Sequence, residues 1–104
     1  MTSRSLLLAG ARTPIGRFRG GFSALPAVAL GGAAIRAAIE RAGIEPGQVE
    51  YTIMGHVIGA GAGQITARQA AISAGIPKEI PAITVNKVCL SGLDAIALAT
   101  ALSW

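Results

Sequence analysis

Ile83-Thr84-Val85-Asn86-Lys87-Val88-Cys89-Leu90-Ser91-Gly92-Leu93-Asp94 passes from a β-branched run straight into a helical pattern, with the only cysteine of the chain at the junction. The first amides of a helix have no partners inside it and, together with the helix dipole, they favour an anion. A thiolate at that point is stabilised, which makes Cys89 a candidate nucleophile. Lys87 adds a positive charge nearby, Gly92 permits close approach of other segments, and Asp94 suits the dipole but opposes a thiolate. Read without that context, Cys89 is a small buried hydrophobe, as most lone cysteines are. The base that an activated nucleophile needs is not visible beside it.

Outward from the junction, Ser5 to Ala9 is a short apolar run closed by Gly10 and reads as a strand buried on both faces. Residues 11–21, with Pro14 and several glycines, form a shaped loop. From Pro26 to Ala42 the period turns helical, with Val28, Ile35, Ile39 and Ala42 on one face and Arg36, Glu40 and Arg41 on the other. Gly31 and Gly32 inside it point to close packing, and Gly43 is the expected C-cap. Val49 to Ile58 reads as a second strand. The glycine-rich turn Gly59 to Gln64 leads into a helix from Thr66 to Ala74, then an extended segment from Ile76 to Pro81. Ala82 to Val88 is the third strand and Ser91 to Leu102 the third helix.

That β-α-β-α-β-α order is the signature of an α/β fold, a parallel-rich sheet with right-handed crossovers and helices on both faces. Ligands gather at the carboxyl ends of such strands, so the loops 12–21 and 59–64 are expected to meet Cys89 on one rim. Ala95 to Leu102 is apolar nearly all round and needs cover on every side, more than three strands and two helices can supply. The chain is therefore expected to be the front part of a longer one, or to fold against a partner.

Composition narrows the function classes. Apolar residues make up 52% of the 104 and charged residues 13%, which argues against disorder. The longest uncharged stretch, Tyr51 to Ala67, carries His56, Gln64 and glycines and does not resemble a membrane-spanning helix of about 20 apolar residues. Net charge is +4, with Arg4, Arg12, Arg17 and Arg19 near the start, but no basic stripe interleaved with aromatics follows, so nucleic acid is not an expected partner. One cysteine excludes an internal disulfide and fits a reducing compartment. The apolar run before Arg12 is too short for a secretory leader, so the expected location is cytoplasmic.

Gly59-Ala60-Gly61-Ala62-Gly63 after a strand invites a dinucleotide-binding reading, but G-x-G-x-x-G would require glycine at Gln64 or at Thr66. Glycines of a tight, packed loop are the better account. His56, the only histidine, reads as a hydrogen-bonded residue of an apolar strand; metal binding has no supporting cluster, and no serine sits in a G-x-S-x-G context.

Three motifs, in order, carry a family resemblance. Ala11-Arg12-Thr13-Pro14-Ile15-Gly16 resembles the N-terminal loop of thiolases, the acetyl-CoA acetyltransferases. Met54-Gly55-His56-Val57, with Gly61-Ala62-Gly63-Gln64 and Ala67-Arg68-Gln69-Ala70-Ala71, resembles that family's second strand and following helix. Asn86-Lys87-Val88-Cys89-Leu90-Ser91-Gly92 is similar to the segment carrying its nucleophile. The resemblance implies that residues 1–104 are the N-terminal part of a thiolase N-terminal domain, without the rest of that domain, the CoA-binding loop region or the C-terminal domain. It implies an acyltransferase in which Cys89 is the acyl-thioester nucleophile and its backbone amide an oxyanion donor. Acyl-CoA and CoA are then substrates and products with no separate cofactor, and the assembly is a homodimer or tetramer with the strand before Cys89 near the dimer interface, serving fatty acid metabolism. The family's activating histidines and second cysteine would lie beyond residue 104, so the piece alone is expected to be inactive. Leu90 stands where a small residue is common, His56 where asparagine is usual, and Ile65-Thr66 where the family has Asn-Pro. A ketoacyl synthase of the same fold and a non-catalytic interaction domain with an inert cysteine are the alternatives.

Overall fold

The structure, a computed structural model, describes residues 4–103; Met1 to Ser3, which open the stretch read as too short for a leader, and Trp104 lie outside the described residues. Helices and strands alternate as α1 (Ala27–Ala42), β1 (Thr52–Gly55), α2 (Thr66–Ser73), β2 (Ala82–Val85) and α3 (Ser91–Leu102), with a 3₁₀ turn at Pro46–Gln48 between α1 and β1. β1 and β2 pair in parallel, Thr52 opposite Ala82 through Gly55 opposite Val85.

Side chains alternate across a strand, so Met54 and Thr84 turn to one face of this sheet and Gly55 and Val85 to the other. On the first face the Ala67 amide of α2 donates to the Thr84 hydroxyl at 2.9 Å. On the second, Gly55 lies so close to α3 that a Cβ there would come within 2.7 Å of Ser91 Cβ. Helices therefore cover both faces, α2 with α1 behind it on one and α3 on the other. The α/β class read from the sequence stands.

α1 keeps the expected faces, with Ile39 buried and Arg36, Glu40 and Arg41 exposed. It ends at Gly43, whose left-handed backbone (φ 69°) lets its amide donate to the Glu40 carbonyl. Gly32 is a true close approach: a Cβ would sit 2.7 Å from Ser73 Oγ on α2. Ile39, Ala71 and Ile76 form the core, flanked by Ile35, Ile44, Val49 and Ile80. Small buried residues on α2, Ala67, Ala70 and Ala71, let the two helices approach this closely.

Residues 5–9 do not form the strand expected of them: Leu6, Leu7 and Leu8 are 75%, 86% and 66% exposed. A strand buried on both faces needs a ladder partner and cover above and below. Leu8 and Ala9 meet only a shallow apolar depression beside Ala38, Ile39 and Ala42, and no described strand pairs with the run. The described element order is thus α-β-α-β-α. Residues 77–80 make a turn, the Ile80 amide donating to the Pro77 carbonyl, where an extended segment was expected. β2 stops at Val85, three residues early, where its partner β1 ends opposite it at Gly55, and the backbone then turns left-handed at Val88. Away from the sheet α3 is uncovered, with Leu93, Ile96 and Leu102 at least half exposed. The described residues do not supply the cover its composition demands.

Candidate functional site

The parallel strands end at the same edge, and the backbone there is held by specific bonds. The His56 amide donates to the Val85 carbonyl at 3.0 Å, carrying the pairing one step beyond the strands. Asn86 then joins the two outgoing loops: its Nδ2 donates to the Val57 carbonyl at 3.2 Å, and its Oδ1 accepts from the Val88 amide at 3.0 Å. Val88 has φ 52°, a conformation that a β-branched residue rarely adopts. Ser91 closes the turn from the other side, its Oγ accepting from the Lys87 amide at 2.7 Å and donating to the Val88 carbonyl at 2.6 Å.

Cys89 follows Val88 on this turn, free and exposed. It lies one residue before Leu90, the N-cap of α3, so the helix amides begin just beyond it. The turn bonds from Leu90 N to Lys87 O and from Ser91 N to Val88 O leave the Cys89 amide unused by either. Lys87 does not stand free: its Nζ pairs with Asp94 Oδ1 at 3.6 Å. The two charges that flank Cys89 in sequence are therefore directed at each other.

His56 is half-buried, its Nδ1 sharing a 2.7 Å hydrogen bond with Thr66 Oγ1. Gln69 of α2 ties down the glycine turn, donating to the carbonyls of Ala62 and Gln64 at 3.1 and 2.9 Å. These contacts suit glycines that pack a loop onto a helix. His56 and Thr66 border a small hollow of ≈ 110 Å³ between α1, β1 and α2, together with Val28, Gly31, Met54 and Ala70; Cys89 is not part of its lining. The loop 12–21 was expected on the same rim. Among the described residues no hydrogen bond joins it to the other two loops, Arg12 donating instead to Thr13 O and Arg19 lying over the Phe18 ring. Among the described residues no cluster of His, Cys, Asp and Glu could hold a metal ion, and no helix is long and apolar enough to cross a membrane.

Asn86 and Ser91 are the residues that sequence reading passed over. A signal was present: asparagine and serine bond the backbone a few residues away and so mark turns, here Asn86 inside what reads as the end of a strand and Ser91 at the start of the helix that follows.

The geometry defines a class, α/β proteins that present a thiol on a strained turn where a parallel strand hands over to a helix. Within that class the chain belongs to the thiolase family, its residues 5–102 matching the family model "Thiolase, N-terminal domain". It is 56% identical over 95 residues to a probable acetyl-CoA acetyltransferase of Mycobacterium tuberculosis, covering 91% of this chain and 24% of that protein. It is 53% identical over 94 residues to an acetyl-CoA acetyltransferase of Cupriavidus necator, covering 90% and 24%. The crystal structure of the Acat5 thiolase from Ascaris suum in complex with coenzyme A superposes with a TM-score of 0.88 at 41% identity, over 90% of this chain and 25% of that one. The chain thus spans about a quarter of the length of the relatives it matches.

Proposed function

We propose that the protein to which this chain belongs is an acyltransferase that forms or cleaves 3-oxoacyl-CoA, with Cys89 as the acyl-accepting nucleophile. The observation that carries the reading is the exposed Cys89 thiol, presented immediately before α3 at the carboxyl edge of the sheet. Relatives named acetyl-CoA acetyltransferase and a coenzyme A complex of a similar thiolase support the substrate class.

In this reading the Cys89 thiolate attacks the thioester carbonyl of an acyl-CoA. The carbon–sulfur bond to CoA breaks, CoA leaves as the thiol after taking up a proton, and the acyl group stays on Sγ. The backbone amide of Cys89 is one donor to the oxyanion formed on the way. Loss of a proton from the α-carbon of acetyl-CoA then gives the carbon nucleophile that takes the acyl group and releases Sγ. A thiolate serves because it is both a good nucleophile and a good leaving group, so the acyl-enzyme can proceed either way. Coenzyme A is substrate and product, the residues that move the α-proton come from beyond residue 104, and the 104 residues alone do not turn over. The reading carries with it a cytoplasmic homodimer or tetramer acting in fatty acid metabolism.

The test is to incubate the full-length protein with acetyl-CoA and weigh it. An acetyl adduct that disappears in Cys89→Ser is expected. No adduct, or one that persists in that variant, overturns the assignment.

A further inference from the structure

We infer that Asn86 is a positioning residue for Cys89: its side-chain amide holds Val88 in the left-handed region and fastens the turn to the loop after β1, so that the thiol is presented at the rim. The inference rests on Cys89 being the acyl-accepting thiol. Valine is among the residues least suited to φ 52°, and such a conformation persists only where the surroundings impose it. Asn86 supplies the two constraints that do so. Its Oδ1 takes the Val88 amide at 3.0 Å, two residues on, while its Nδ2 reaches the Val57 carbonyl at 3.2 Å, across 29 residues of sequence.

One side chain has to donate and accept at once within this short span. An amide does both, a carboxylate only accepts, and an alkyl group does neither. Ser91 braces the far side of Val88 through its carbonyl, and Ser91 is in turn pressed against Gly55 of β1. Cys89 is the next residue after this clamped valine. Its direction is set by the ψ of Val88, and so by whether Val88 stays left-handed. Misplacing a reacting atom by about an ångström costs on the order of a hundredfold in rate.

The experiment uses the full-length protein with valine labelled for NMR and acetoacetyl-CoA cleavage as the assay. Asn86→Ala is expected to lower kcat by roughly ten- to hundredfold with KM moved less than about threefold, and to shift the Val88 backbone signals away from left-handed values. Adding Val88→Gly to Asn86→Ala is expected to restore most of the lost kcat, because glycine adopts the positive φ unaided. General damage to packing would not be repaired by a glycine. Wild-type kcat in Asn86→Ala, left-handed signals retained there, or a double variant as slow as Asn86→Ala overturns the inference. If Asn86→Ala does not fold, the double variant is compared with Val88→Gly alone; equal kcat supports the inference and a tenfold deficit overturns it. Absence of an acetyl adduct on the wild-type protein is a different result, and it counts against the nucleophile assignment alone.

Discussion

His56 Nδ1 and Thr66 Oγ1 lie 2.7 Å apart, so the residue after β1 is bonded to the first residue of α2 and the nine residues between them close into a loop. The resemblance read from the sequence leads to an expectation of asparagine at 56 and proline at 66, and the two residues found there instead are bonded to each other. Thr66→Val and His56→Ala are each expected to lower stability by about 1 kcal/mol, and the double variant to lose less than the sum. Urea midpoints of the four proteins check this; full additivity would show that the bond contributes nothing.

Gly55 has a neighbour that allows no side chain: a Cβ would meet Ser91 Cβ at 2.7 Å and the Ser91 carbonyl carbon at 2.9 Å. Because one of the two is backbone, relief requires α3 to move. Gly55→Ala is expected to cost about 1–3 kcal/mol and to disturb the turn that carries Cys89. Denaturant unfolding measures the first effect and the yield of acetyl-Cys89 the second.

Thr52 is 6% exposed and its hydroxyl is buried without a hydrogen-bond partner among the described residues. Thr52→Val keeps the shape and the β-branch while removing a desolvated polar group. A gain of about 1 kcal/mol is expected, read as a higher urea midpoint with an unchanged slope.

Lys87 and Asp94 form a pair whose side chains are 61% and 32% exposed. Water and salt weaken such a pair, so Lys87→Met is expected to change stability by less than about 1 kcal/mol, with a difference that shrinks further in molar salt. Thermal unfolding at two ionic strengths decides it.

Features with local causes were readable from the residues alone. The end of α1 followed from Gly43, which takes a positive φ cheaply, and α3 runs from Ser91 to Leu102 as its pattern predicts. Cys89 was located by the change from β-branched to helical sequence. The leucines at 6–8 misled because a buried strand is a property of its neighbours, and the run itself does not specify them. Asn86 was overlooked for a related reason. Its bond to Val57 spans 29 positions, and only the pairing of β1 with β2 brings its partner near.

The bare leucines have a consequence for how this stretch behaves by itself. With Leu6, Leu7, Leu8, Leu93 and Leu102 all more than half open to water, copies of the isolated chain at ordinary working concentrations would stick to one another through these patches. Its colloidal behaviour would then be governed by greasy self-association, with clumps sedimenting sooner as the protein concentration rises.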